Sequence, residues 1–387
     1  MKNKNSAGSI LLFPILLIAG IGLLWWNEGN YVKTASAIKE AQSDYLEIKD
    51  AKYDAKNDKK VVVVSGPIVV SSEAVDQQFK IKDMTAILER TVEMYQWEED
   101  CDEDNHCTYE KKWSESEISS AGFKSGHSNP SMPYKSETFY SDNVTLGDYS
   151  LSRNNLEYLN ADSPYQLNQQ DATNNGMTLL QDNRLYKGKD FTQPEIGDLL
   201  VSFSKFTSDK VTVLGVQNGT TVTKFVGKSG KKVMYTMEGI HTGDEMFQKL
   251  IDNNKMMTWL LRLVGCICLI CAIASIFAPL RFLTDRIPIL GGIVGGLTGF
   301  FALLVGLALS IIVIALAWFA YRPLASIIAI VVMAGLVILY IKMKGKKAMD
   351  NKQEAVTTQQ TETPQQPVTP TQEVQPTENV EQKKDEQ

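Results

Sequence analysis

The distribution of apolar residues constrains this chain more than anything else in it. One run lies at the extreme N-terminus, Ile10 to Trp26, and the rest crowd between Thr258 and Ile341. Averaged over 387 residues, 44% hydrophobic with a net charge of -6, the composition resembles that of a soluble protein, so hydropathy has to be read window by window. Four windows can cross a bilayer, which takes ~20 apolar residues, the first reaching that length only if Ala7 to Ser9 are counted. They are 10–26, 258–279, 289–319 and 324–341, and they leave residues 27–257 as one polar insertion long enough to bury its own core. The predicted fold class is therefore a membrane protein of four transmembrane α-helices with a large β-rich (α+β) domain between the first and second. The net charge says little about partners; the bilayer itself is one, and no nucleic-acid partner is expected.

The first run follows Lys2 and Lys4 and contains Pro14, as a signal peptide could, but Leu23, Leu24, Trp25 and Trp26 carry it past the small pair Ala19-Gly20, which favours a retained anchor. Short-loop lysines and arginines stay on the cytoplasmic side. Residues 1–9 (Lys2, Lys4), the 280–288 loop (Arg281, Arg286) and the cluster from Lys342 to Lys347 all fall there if the chain starts inside and crosses four times. The insertion is then extracytoplasmic, in the periplasm of a Gram-negative cell or the lumen of a eukaryotic organelle. Trp25, Trp26, Trp259 and Trp318 would form a belt at that interface. Residues 350–387, with Pro364, Pro367, Pro370 and Pro376 among eight acidic and three basic side chains, read as a disordered cytoplasmic tail.

Within the insertion, Lys33 to Lys60 is expected to begin as a helix continuing from the first span. Strands follow at Val61–Val64, Ile68–Val70 and Ala86–Trp97, and a later meander covers Leu199–Phe206, Lys210–Gln217, Thr221–Val226 and Lys232–Met237, broken at Asn218-Gly219 and Ser229-Gly230. Leu151, Leu156, Tyr158 and Leu159 sit at helical spacing, and Met246, Phe247, Leu250 and Ile251 predict a helix leading into the second span.

Six blocks in order then carry a resemblance: Asn27-Glu28-Gly29; Val92-Glu93-Met94-Tyr95-Gln96-Trp97; Gly126-His127 with Asn129-Pro130; Gly197-Asp198-Leu199 before Val201-Ser202-Phe203; Thr258-Trp259 with Leu261-Arg262; and Tyr321-Arg322-Pro323-Leu324. The sequence resembles the LUMA family, the transmembrane protein 43 family, found in the animal endoplasmic reticulum and inner nuclear envelope and also in bacteria, with a bacterial member expected here. The resemblance runs from the first span to the fourth. It implies a membrane-organising scaffold, with nuclear-envelope partners such as lamins and emerin in animals, and brings no established enzymatic activity. A short N-terminal segment and a long acidic tail depart from the family pattern, so contacts made through the termini do not carry over.

Several residues invite a chemical reading. Glu98 to Cys107 holds acids, His106 and two cysteines, but it lacks the glycine of a calcium loop and the fourth ligand of a zinc site. A hairpin tip that is disulfide-closed through Cys101 and Cys107, or simply solvated, is favoured over weak cation binding, and no metal or cofactor is expected. Cys266, Cys268 and Cys271 lie in an apolar helix and read as small hydrophobes. His127 lies in a Gly- and Pro-bearing loop near Ser128 and Ser131, without a nucleophile elbow anywhere in the chain, and reads as a structural loop contact. Glu28 is placed at a hydrated membrane edge with Arg322 as its natural partner, and Arg262 is close enough to the start of its span to snorkel. Gly291, Gly295 and Gly299, with Gly292 and Gly296, form overlapping small-xxx-small ridges that predict tight helix packing within the bundle or between protomers of a homo-oligomer. The leading functional expectation is a scaffold, not an enzyme, whose extracytoplasmic domain binds a protein or lipid partner. The alternatives are a membrane enzyme using that domain and, less supported for want of intramembrane charge, a channel or transporter.

Overall fold

The computed structural model describes residues 5–102, 106–278, 288–322 and 327–344. The acidic tail, the 280–288 loop apart from Pro288, Pro323 and Lys346–Lys347 lie outside the described residues. Four described helices are long and apolar enough to cross a membrane, at Leu12–Gln42, Gly243–Ile276, Val294–Tyr321 and Ile327–Lys344.

Helix α1 spans Asn5–Gln42, 38 residues, or ~57 Å at 1.5 Å per residue, against ~30 Å of hydrocarbon. It therefore runs on past Trp26, where the sequence placed the edge of the span, as the helix expected to continue from that span. Leu24, Asn27 and Glu28 are buried, and further along the same helix Ala37, Ile38 and Ala41 are buried, a face with helical period that stays covered outside the apolar stretch. The insertion contributes two short helices, α2 (Arg153–Leu156) and α3 (Gln169–Asn175). Helix α4, Gly243–Ile276, fuses the amphipathic segment and the second span into 34 residues. Its start is fixed by a capping box: the Thr242 hydroxyl accepts from the Glu245 N–H, and the Glu245 carboxylate accepts from the Thr242 N–H. Helix α5 spans Pro288–Tyr321.

Helices α1, α4 and α5 pack on one another through Leu24, Leu269 and Val313, with Leu17, Ile21, Leu309 and Ile314 around them. Lipid gives no hydrophobic drive for helix association, so close approach at small residues has to supply contact. A Cβ at Gly20 would lie 2.8 Å from Leu269, one at Gly265 2.6 Å from Leu24, and one at Gly306 2.7 Å from the Ile270 Cα. Within the predicted ridge, a Cβ at Gly295 or Gly296 would meet nothing within 4 Å. Gly299 is half-buried, and the surroundings of Gly291 and Gly292 lie outside the described part. The fourth apolar helix, α6 (Ile327–Lys344), belongs to a second unit, Arg322–Gln387.

The insertion is built on a closed ring of five strands. Val61–Val70 pairs with Val144–Leu146, that strand with Tyr149–Leu151, that with Thr221–Thr223, that with Lys210–Asn218, and the last returns to Val61–Val70. Closure leaves no free edge between these five. The run Val61-Val62-Val63-Val64 is buried on both faces. Val62 and Val64 point into the barrel with Leu146, Tyr149 and Val213, whereas Val61 and Val63 meet Ala37 and Ile38 of α1 and Met246 and Phe247 of α4. Gly66-Pro67 does not interrupt this strand as expected. It marks the place where the strand changes partner, from Lys210–Val216 to Val144–Leu146.

A second sheet runs Thr178–Leu179, Leu185–Lys187, Leu199–Lys205, Ile87–Cys101, Cys107–Ser114, with Glu137–Tyr140 also on the Ile87 strand. Its core gathers Leu88, Val92, Met94, Val201 and Phe203. Arg90 is also inside, 1% exposed, its guanidinium 2.5 Å from Asp76 and 4.8 Å from the Phe79 ring centre.

Candidate functional site

The motif residues gather at two places. The first is where α1, α4 and α5 leave the bundle toward the insertion. Asn27 donates to the Thr258 carbonyl at 3.0 Å, and Glu28 accepts from Nε and Nη2 of Arg262 at 2.6 and 2.9 Å. The two recipients are one turn apart on α4, so consecutive residues of α1 meet one face of it. Glu28 is 1% exposed. Its charge is met by the fork of Arg262, a partner that the sequence reading did not assign to it. Arg262 accordingly turns its Nε and Nη2 to Glu28, with its guanidinium 4.9 Å from the Trp259 ring centre. Gly29 is small because a Cβ there would sit 2.5 Å from the ring of Tyr321, the last residue of α5, which also meets Trp25 at 6.1 Å.

The second gathering is on the Ile87–Ser114 hairpin, from three separate blocks. Asn129 acts as a surrogate strand residue. Its amide accepts from the Trp97 N–H at 2.7 Å and donates to the Trp97 carbonyl at 2.8 Å and the Ile118 carbonyl at 3.1 Å, because a carboxamide carries the same donor and acceptor as a peptide group. Gln96 points inward, fully buried, and holds the same loop through the Ser116 carbonyl and the Ile118 N–H. The Gly197 N–H donates to the Tyr95 carbonyl and the Tyr95 N–H to the Asp198 carbonyl, both at 2.9 Å. Gly197 has φ +97 and lies against Pro130. Asp198 accepts from the Tyr186 hydroxyl at 2.5 Å and the Glu195 N–H at 2.8 Å. Burial, then that carboxylate, push the Tyr186 phenol well above its ordinary value, so it stays a donor.

Alternation along the strand sends Tyr95, Trp97 and Glu99 to the other face, opposite Trp113, Lys111 and Tyr109 of the neighbouring strand. Tyr95 meets Trp113 at 5.1 Å, and the Lys111 ammonium lies 4.9 Å from the Trp97 ring centre. Gly126, at φ +96, turns the loop so that His127 lands on this face, stacked on Tyr109 at 3.7 Å and edge-on to Trp97 at 4.7 Å. Its Nδ1 is 3.3 Å from the Lys124 carbonyl. Among the described residues neither Ser128 nor Ser131 is hydrogen-bonded to it, so the nearby serines and the histidine do not form a nucleophile–base pair.

The family model described as Transmembrane protein 43 matches residues 94–323, more than half of the chain. The chain belongs to the transmembrane protein 43 family. It is 27% identical over 347 residues to the Transmembrane protein 43 homolog of Drosophila melanogaster, covering 83% of this chain and 91% of that protein. It is 26% identical over 371 residues to Transmembrane protein 43 of Rattus norvegicus (89% and 92%) and 25% identical over 370 residues to that of Homo sapiens (89% and 92%). No solved structure matches it.

In this member of the transmembrane protein 43 family the matched region opens inside the hairpin motif and closes just after Tyr321, so it takes in the second gathering and the α4–α5 side of the first. Sequence reasoning passed over Tyr109, Lys111, Trp113 and Arg90. The first three could have been found by pairing Ile87–Cys101 with the next alternating run, five residues further on; Arg90 could not, since an arginine in a strand normally faces water. Cys101 and Cys107 are joined by a disulfide at the hairpin end. Glu99 approaches both sulfurs, but bonded to each other they cannot serve as thiolate ligands.

Proposed function

We propose that this protein is a membrane scaffold that docks a protein partner on the aromatic face of the Ile87–Ser114 hairpin, with both termini cytoplasmic and the inserted domain across the membrane. One observation carries the reading: blocks far apart in sequence, ending at Trp97, His127, Asn129 and Gly197, converge to hold a rigid ladder of half-buried rings, not to line a cleft with acids and a base. Tyrosine and tryptophan locked in place are what protein interfaces use as anchors, because little side-chain entropy is left to lose. Lys111 at the rim adds a cation to the patch. The lysine and arginine distribution around the spans supports the orientation. No catalytic residue, cofactor or nucleic-acid contact enters this reading, and association between copies is compatible with it.

The test is a photo-cross-linking residue at Lys111, compared with one at Lys82, which is also exposed but lies on a different hairpin. In the native membrane Lys111 should give a discrete protein adduct that Trp97→Ala abolishes and that Lys82 does not give. Equal adducts from both positions, or an adduct indifferent to Trp97→Ala, would sink the proposal.

A further inference from the structure

The bundle carries a second feature that the docking face leaves unused. Between α4 and α5, at the end nearest the insertion, lies a groove of about 470 Å³. Ile311, Ile314 and Ala315 form its floor, Trp259 and Trp318 its walls, and Arg262 stands at its mouth. The floor belongs to a span with no charged residue, so hydrocarbon and not water faces it.

The mouth is polar in a particular way. Arg262 spends Nε and Nη2 on Glu28, which leaves the Nη1 N–H groups without an acceptor among the described residues. The indole N–H of Trp259, 67% exposed, is in the same position. Donors at the edge of the hydrocarbon are met by water or by lipid headgroups, and a headgroup is the acceptor that comes joined to an apolar chain. Glu28 holds the guanidinium in place without covering its outer edge, and among the described residues no other acceptor meets that edge.

We propose that this groove seats a glycerophospholipid of the leaflet on the insertion side, its phosphate accepting from Arg262 Nη1 and Trp259 Nε1 and one acyl chain lying along Ile311, Ile314 and Ala315. The complementarity decides for this occupant. It offers an acceptor of negative charge at the depth of the guanidinium and, covalently below it, an aliphatic chain for a trough with no polar floor. A free phosphate would leave the floor uncovered, and a plain hydrocarbon would leave the donors unmet.

Native mass spectrometry of the full chain, purified in detergent and washed to strip loosely held lipid, tests it with phosphatidylcholine as the added probe. Ala315 is exposed in the groove, so Ala315→Trp fills the trough and leaves the Glu28–Arg262 pair alone. Trp259→Phe keeps the ring and removes the N–H. The wild type should retain one phospholipid after washing; Ala315→Trp should lower retention by about tenfold or more, and Trp259→Phe by a smaller factor. Excess inorganic phosphate should not displace the lipid. Equal retention by wild type and Ala315→Trp at unchanged melting temperature would overturn the seat, as would a wild type that keeps no lipid. If Ala315→Trp does not fold, Trp259→Phe decides alone, and retention equal to wild type overturns the proposal. Displacement by inorganic phosphate would reduce the site to an anion site and overturn the lipid assignment.

Discussion

At the scale of single residues, the Glu28–Arg262 pair is asymmetric: the carboxylate is 1% exposed and the guanidinium 21%. Removing the arginine strands a buried charge, whereas removing the acid leaves a cation that still reaches solvent. Arg262→Leu should therefore destabilise the bundle by about 3–5 kcal/mol and Glu28→Gln by clearly less. The double variant Glu28→Met/Arg262→Leu should recover much of the loss. Thermal melts of the four proteins in detergent give the comparison, and equal losses for the two single variants would contradict the asymmetry. In the barrel, burial first and then Asp148 raise the Tyr149 phenol from 10.0 to about 12, and its hydroxyl donates to Gln217 at 2.8 Å. The folded state holds this proton more tightly than the unfolded chain does. Its contribution to stability is thus whole below pH 10 and is lost as pH rises through about 12. Alkaline unfolding followed by tyrosinate absorbance should show this group ionising with the unfolding step, and Tyr149→Phe should flatten the pH dependence in that window. Which residues matter was legible here from motif strings such as Asn27-Glu28-Gly29 and Tyr95-Gln96-Trp97; whom they touch was not. Glu28 finds Arg262 because two helices run side by side over a 234-residue separation, and no local spacing encodes that.

At the scale of elements, period and length served well where one neighbour decides the conformation and failed where two compete. The amphipathic run before the second span was read correctly as a helix, yet its continuity through Thr258 into one 34-residue rod follows from packing along α1. Gly66-Pro67 looked like a break; the strand passes through it because the part before it pairs with Tyr45–Ile48 and Lys210–Val216 and the part after it with Val144–Leu146. The glycines show the same limit. Spacing singled out Gly291, Gly295 and Gly299, whereas a close approach that spacing did not single out is at Gly306, where even a methyl would lie 2.7 Å from Ile270 Cα and 2.9 Å from its N. Backbone at that distance cannot swing aside as a side chain can. Gly306→Ala should therefore lower the melting temperature of the membrane part, whereas Gly295→Ala should leave it within error. A melt of the purified pair settles it, and the reverse ranking would mean that α5 meets α4 differently.

At the scale of the whole molecule, the four apolar helices and the β-rich insertion were legible from hydropathy and strand pattern, because burial in lipid or in a core writes itself into composition over tens of residues. Barrel closure was not: it depends on Thr221 reaching Ser150, a pairing of one residue with one. The orientation has its own test. Lys189 has a side chain 84% exposed on the insertion, and a cysteine there should react with an impermeant reagent from the non-cytoplasmic side of intact cells or sealed vesicles. Reaction only after permeabilisation would reverse the topology. A mechanical consequence follows from α1 and α4 running unbroken from bilayer to barrel. Beyond Trp26, α1 continues for ~24 Å at 1.5 Å per residue, clamped beside α4 and locked into the barrel by Ala37, Ile38, Met246 and Phe247. The two rods make a mast without a hinge. If a thicker or thinner bilayer changed the lean of the spans by ~20°, the top of a mast of ~24 Å would move sideways by roughly 8 Å. The hairpin would travel with it, so that bilayer thickness is converted into the position of a protein surface well clear of the lipid.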